Sequence, residues 1–182
     1  MDKKREKTIS KFLSYALRHG PDDVGIELAE GGWTDVPALL EAASRKGHTI
    51  SVEELEQVVA NNDKQRFALS EDCARIRANQ GHSVSVEIDH TVATPGEHLF
   101  HGTVRKFIPS IREQGLLKGN RQHVHLSAER ETAAKVGQRR GKPVILIVRA
   151  AAMRAAGHTF YLSANGVWLT EHVPEEYILY PG

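Results

Sequence analysis

Arginine and histidine stand side by side where an apolar helical pattern runs out, at Leu17-Arg18-His19-Gly20-Pro21. A guanidinium fork can hold a phosphate through two N–H···O bonds, and an imidazole beside it can donate or relay a proton. The same pair also suits the C-terminal end of a helix dipole. Arg66, in Lys64-Gln65-Arg66-Phe67, opens an apolar run and reads either as an anion contact or as a surface strand residue. Ile76-Arg77-Ala78-Asn79-Gln80-Gly81-His82-Ser83 follows, polar, hinged at glycine and rich in donors. Arg77, Gln80, His82 and Ser83 are its candidate phosphate contacts. The segment falls where the texture of the chain changes, and such junctions are favoured places for sites as well as plain linkers.

The histidines cluster further on, as His98-x-x-His101 and His123-Val124-His125. His123 and His125 fall on one side of a strand, so joint chelation is geometrically open. No Asp or Glu is placed to complete a ligand set, and no metal is expected. His101-Gly102-Thr103 and His125-Leu126-Ser127 read better as ligand-facing strand ends. Each sets a histidine before small or hydroxyl residues, which can bond sugar hydroxyls and an amide while letting a ligand approach the backbone. Gly137-Gln138-Arg139-Arg140-Gly141-Lys142-Pro143 concentrates positive charge at a helix end, an anion contact or a solvated last turn.

Several local elements are available to position these groups. Ile9, Phe12, Leu13, Ala16 and Leu17 recur at helical spacing, which predicts an amphipathic helix stopping near His19-Gly20-Pro21. Val24–Leu28 is predicted to form a short strand. Asp35 is predicted to cap a helix through Val36, Leu39, Leu40 and Ala43, with Pro37 in its first turn. Ser51-Val52-Glu53-Glu54 is a capping box that opens a third helix carrying Leu55, Val58 and Val59. Arg66–Leu69 and Ala74–Ala78 flank the polar turn Ser70-Glu71-Asp72 and read as a hairpin. Three helices and a hairpin are the order of a winged helix.

Beyond about residue 83, Val84, Val86 and Ile88 alternate with polar residues as a half-buried strand would. Thr94-Pro95-Gly96 is a loop. Short strands are predicted at Leu99–His101, Val124–Leu126, Phe160–Leu162, Val167–Leu169 and Tyr177–Leu179, with Val144–Val148 as a central one. Helices are predicted over Val104–Gln114, capped by Gly115, and over Ala128–Arg140, ending at Gly141. The expected class is α+β, with residues 1–83 as one lobe and residues 84–182 as a β-rich second.

The 182 residues carry 24 Lys/Arg against 23 Asp/Glu, for a net charge of +1, which argues against a simple basic nucleic-acid binder. That balance hides an asymmetry. Residues 1–90 hold 12 basic and 16 acidic residues, for −4, and residues 91–182 hold 12 and 7, for +5. All the basic residues of the second half lie between Arg105 and Arg154, opposed there by Glu113, Glu129 and Glu131. One cysteine, Cys73, excludes an internal disulfide framework. The charged N-terminus leads into no apolar stretch, and a reducing, cytoplasmic setting and a monomer are expected, without a membrane partner. Walker, Rossmann, H-E-x-x-H and G-x-S-x-G motifs are absent, so a nucleotide would be bound some other way.

Taken in order, Leu17-Arg18-His19, Lys64-Gln65-Arg66-Phe67, the Ile76–Ser83 segment, His101-Gly102-Thr103, His123-Val124-His125-Leu126-Ser127, Gly137-Gln138-Arg139 and Asn165-Gly166-Val167-Trp168-Leu169 resemble the NAD-dependent RNA 2′-phosphotransferase family. The resemblance runs from about residue 8 to 180. It implies an N-terminal winged-helix lobe, 1–83, that binds RNA and its phosphate. It implies an ADP-ribosyltransferase-like NAD-binding lobe over 84–182, with NAD consumed as a co-substrate. The implied reaction removes an internal RNA 2′-phosphate, typically at a tRNA splice junction. The family's Arg-His-Arg-Arg set carries over to Arg18, His19, Arg66 and Arg139, with Arg140 as a rival for the last; Gly-x-Arg-x-Gly fits Gly137 to Gly141. The implied NAD contacts are His101, Gly102, Thr103, His125 and Ser127. A phosphate site shared by the two lobes would draw Arg18 and Arg66 from the acidic half.

The third signature position, often Glu in protein-modifying relatives, falls on Val167, which disfavours a protein acceptor. Two other readings stand beside this one. An ADP-ribosyltransferase acting on phosphorylated nucleic-acid ends would share the NAD lobe. A non-catalytic winged-helix module is opposed by the acidic first half, because phosphate neutralisation dominates such binding.

Overall fold

The structure, a computed structural model, describes residues 1–84 and 90–182. It is a mixed α+β chain that divides into two compact units, Met1–Asp89 and His90–Gly182. Of the alternating trio Val84, Val86 and Ile88, the last two lie outside the described residues. No helix among the described residues is long and apolar enough to cross a membrane.

The first unit opens with α1 (Lys3–Arg18), whose N-cap Asp2 accepts from the backbone of Lys4 and Arg5. Its apolar stripe, Ile9, Phe12, Leu13, Ala16 and Leu17, is buried as the spacing requires. A single turn, α2 (Pro21–Val24), follows in place of the expected strand at Val24–Leu28. Pro21 presets the helical φ. The N–H groups of Gly25 and Ile26 both donate to the Pro21 carbonyl, and Gly25 ends the turn at φ 87, so the backbone is committed to a turn before a strand can start.

Next come β1 (Thr34–Asp35), α3 (Val36–Arg45) and α4 (Val52–Ala60). Asp35 occupies the N-cap of α3 but its side chain makes no capping bond. The Val36 N–H donates instead to the Ala74 carbonyl at 2.9 Å, and Pro37 has no N–H to satisfy. The capping box of α4 forms in full between Ser51 and Glu54. Arg5 on α1 bonds both carboxylate oxygens of Glu54 at 2.9 Å and ties the two helices. The hairpin forms as β2 (Phe67–Leu69) and β3 (Arg75–Ala78), and β3 is the middle strand of a sheet ordered β1-β3-β2.

The second unit is built on two sheets. Its strands are β4 (Thr91–Val92), β5 (Leu99–Val104), β6 (Val124–Leu126), β7 (Pro143–Val148), β8 (Tyr161–Leu162), β9 (Trp168–Thr170) and β10 (Ile178–Leu179). One sheet is ordered β10-β7-β5, which puts the continuous apolar run of β7 in the middle, and the other β4-β8-β9-β6. Strand β5 runs past Gly102 to Val104, which pairs with Pro143; the helix expected from Val104 therefore starts later, as a 3-10 turn and then α5 (Ile108–Gln114). Helices α6 (Arg130–Gly137) and α7 (Ala150–Ala155) complete the unit. Leu99, Leu126, Leu146, Met153 and Phe160 anchor its core.

Candidate active site

In the first unit the candidate residues gather at one end of the β2–β3 hairpin. Helix α1 stops because His19 leaves helical geometry, while the Tyr15 carbonyl accepts the N–H of both His19 and Gly20 at 2.9 Å. Arg18 is 7% exposed, with its guanidinium 6.0 Å from the Phe67 ring centre. The chain returns here after β3: the Ser83 N–H donates to the Arg18 carbonyl at 2.9 Å, and Ser83 Oγ lies 2.8 Å from His19 Nδ1.

Arg66 is fixed by its backbone. Its carbonyl accepts from Asn79 N–H at 2.9 Å, one rung beyond the Phe67–Ala78 pair, and its own N–H donates to Asn62 Oδ1 at 3.4 Å. Asn79 Nδ2 donates to the Gln65 carbonyl at 2.6 Å, holding Gln65 at φ 43. Asn79, Gln80 and His82 are buried. Arg77 stands further along β3, its guanidinium 4.8 Å from the Trp33 ring.

In the second unit the site is made by adjacent strands. Phe100 on β5 and Ser127, just past β6, exchange both backbone hydrogen bonds at 2.8 Å. One step along, His101 Nδ1 lies 3.0 Å from the His125 carbonyl oxygen. A carbonyl only accepts, so Nδ1 carries the hydrogen and Nε2 of the neutral ring remains an acceptor. Burial lowers the His101 pKa below its ordinary value; the bond to His125 opposes this, and the charge of Arg140 adds to it. Val167 precedes Trp168, which pairs with Leu126, so Val167 stands beside the end of the strand that carries His125, just before Ser127.

Gly102 has a structural reason of its own. A Cβ there would run into the Ala133 carbonyl oxygen and come within 2.9 Å of Gly137 N, so the backbone of α6 already fills that side. Gly137 meets Gly102 in return, and this packing sets the exposed Gln138–Arg140 turn beside β5. Arg140 stacks 5.7 Å from the Phe107 ring.

One arginine was not singled out from the sequence. Arg121 Nη1 lies 3.1 Å from His125 Nδ1, and since arginine only donates, that nitrogen is the acceptor. The Arg121 pKa is lowered by burial first, then by the charges of Arg140 and Arg139. Three like charges held close to one another suit an anion between them. The hint in the sequence was slight: a cation four residues before His125 in the basic stretch. Among the described residues, no group of three or more His, Cys, Asp or Glu is gathered to hold a metal.

Each unit, taken by itself, sets arginine and histidine at strand and helix ends, groups whose N–H donors suit a phosphate-bearing substrate. The comparisons with known proteins make this specific. The family model described as RNA 2′-phosphotransferase, Tpt1 / KptA family, matches residues 4–172. A relative from Flavobacterium johnsoniae, named "Probable RNA 2′-phosphotransferase", is 54% identical over 98% of each chain. Relatives of the same name from Acaryochloris marina and Streptomyces coelicolor are 52% and 50% identical, covering 95% and 100% of this chain and 96% and 98% of their own. The chain belongs to the RNA 2′-phosphotransferase family.

Proposed function

We propose that the protein removes an internal RNA 2′-phosphate by transferring it to the ADP-ribose part of NAD⁺, which is consumed as a co-substrate. In the first step a 2′-phosphate oxygen bonds to C1″ of the nicotinamide riboside. The C1″–N bond breaks and nicotinamide leaves with the electron pair. In the second step the ribose O2″ attacks the phosphorus and loses its proton, and the P–O2′ bond breaks. RNA with a 2′-OH and ADP-ribose 1″,2″-cyclic phosphate result.

The observation that carries this reading is the family match over residues 4–172, in which the ordered arginine and histidine motifs all fall. The chemistry asks little acid–base help of the first step, because a phosphate dianion is already nucleophilic; positioning and exclusion of water do most. Arg18 and Arg66 are assigned to the phosphate, where paired N–H donors fit its oxygens. Arg77, Gln80, His82 and Ser83 support that phosphate and its RNA. His19, oriented by Ser83, is assigned to the proton or the phosphate in the second step. Arg139 is assigned to the charge that develops on the phosphoryl oxygens, with Arg121 and Arg140 as its neighbours.

His101, Gly102, Thr103, His125 and Ser127 are assigned to NAD. A neutral His101 anchored through Nδ1 offers Nε2 to a ribose hydroxyl, which fits this role. Residues 1–83 are read as a winged-helix lobe, supported by the three longer helices α1, α3 and α4 followed by the β2–β3 hairpin. Residues 84–182 are read as an ADP-ribosyltransferase-like lobe, supported by His101 on β5, His125 on β6 and Val167 just ahead of β9, which pairs with β6. Incubation with NAD⁺ and an internally 2′-phosphorylated RNA tests the proposal: nicotinamide and the cyclic phosphate are expected. Intact RNA in the presence of bound NAD⁺ would refute it.

A further inference from the structure

The outward face of the β1-β3-β2 sheet carries arginines in a row. In β3, Ile76 and Ala78 are fully buried, so Arg75 and Arg77, which alternate with them, lie on the opposite face. In β2, Phe67 is buried, so Ala68 lies on that outward face, where it pairs directly with Arg77. Arg66 stands one residue ahead of β2, level with Asn79, so the order along the hairpin is Arg66, Arg77, Arg75. The last two stand about 6.6 Å apart along the strand at ~3.3 Å per residue.

Trp33, just ahead of β1, braces both: its ring centre is 4.8 Å from the Arg77 guanidinium and 5.5 Å from that of Arg75. Stacking fixes a guanidinium plane without occupying its N–H forks. Arg77 is half-buried, and its Nε is buried with no hydrogen-bond partner among the described residues. Acidic groups are near. Asp35 pairs in register with Arg75, and Asp72, whose carboxyl is lowered chiefly by the Ser70 hydroxyl, also feels Arg75. Yet no ion pair within 4.0 Å engages Arg75 or Arg77 among the described residues.

We infer that this face is a track for the RNA sugar–phosphate backbone on one side of the 2′-phosphate, with Arg77 and Arg75 each taking a backbone phosphate. The inference rests on the reading of Arg66 as a ligand of the 2′-phosphate. Forks braced on an aromatic ring grip phosphate oxygens and carry no base information, so the track is indifferent to sequence. The Trp33 ring is engaged by the arginines, which sets this surface apart from a base-stacking platform.

The test measures anisotropy of labelled RNA across a salt series. One probe is a strand of about a dozen nucleotides with its 2′-phosphate in the middle; the other is a 2′-phosphorylated dinucleotide. Each released backbone contact removes about 0.7 from the slope of log K against log salt for a single strand. Arg75→Ala is expected to lose that increment on the long strand, bind it several-fold more weakly and bind the dinucleotide as the wild type does. Arg75→Lys restores the slope. Arg75 is exposed, and an unchanged melting curve will show the variant folded.

Equal binding of the long strand by wild type and Arg75→Ala overturns the track, as does an equal loss on both probes. The Arg75-dependent loss moving to an acidic peptide, with RNA unaffected, would assign the face to a protein. Nicotinamide release from the dinucleotide is read separately. Its absence refutes the proposed activity while the salt slopes still decide the track.

Discussion

Ser83 Oγ lies 2.8 Å from Nδ1 of His19, joining residues 64 positions apart. The same serine bonds the Arg18 carbonyl through its N–H at 2.9 Å. The segment that leaves β3 therefore orients the Arg-His corner at the end of α1.

Ser83→Ala keeps that backbone bond and removes the hydroxyl. A side-chain hydrogen bond contributes about 1 kcal/mol, which corresponds to about a fivefold loss. The expected loss falls in kcat with the KM for NAD⁺ unchanged and the melting temperature held, and Ser83→Thr recovers part of it. Steady-state kinetics with 2′-phosphorylated RNA check this. A wild-type kcat in Ser83→Ala removes the orienting role.

Arg18→Ala, Arg66→Ala and Arg139→Ala are expected to lose turnover by a factor of about 100 or more while remaining folded, as when a donor to developing oxyanion charge is deleted. Arg121→Ala and Arg140→Ala belong in the same assay. A dead Arg121 variant beside a near-normal Arg139 variant would move the last position of the Arg-His-Arg-Arg set to Arg121, the one bonded to His125.

His101 gives a pH signature. Burial lowers its pKa below the ordinary 6.5, so the unfolded chain binds more protons than the folded one between the two values. Stability then rises with pH across that window and is lost as pH falls below about 6.5. Denaturant unfolding at several pH values should show this slope, shallower in His101→Asn. His123, lowered chiefly by burial, adds to the slope in the same direction. A His101 ring titrating above 6.5 by NMR would contradict the assignment.

Gly102→Ala should be far worse than Gly137→Ala. A Cβ at Gly102 meets the fixed backbone of Ala133, whereas one at Gly137 meets Pro143 Cβ at 3.0 Å and the Thr103 carbonyl oxygen at 3.1 Å. Overpacking of this kind costs about 1–3 kcal/mol or more, and a chain of this size loses roughly 2–4 °C per kcal/mol. Calorimetry checks the ranking, and equal melting temperatures would refute close packing of α6 on β5.

Short-range rules made much of this protein legible from its sequence. The stripe of α1, the Ser51–Glu54 capping box, the β2–β3 hairpin and the apolar β7 all depend on residues a few positions apart. The ordered motifs likewise pointed to the family that the comparisons then showed. The turn at Pro21–Gly25 is not legible in the short apolar run Val24–Leu28, because the effect of its proline and glycine depends on the bonds they set up.

What tertiary structure alone decided is which distant groups meet: Ser83 with His19, His101 with the His125 carbonyl, and the α6 backbone with Gly102. The physical reason is range. Capping, turn chemistry and side-chain period act along the chain, whereas hydrogen bonds between strand ends and backbone-to-backbone packing act through space. Their partners exist only once the sheets have chosen their register.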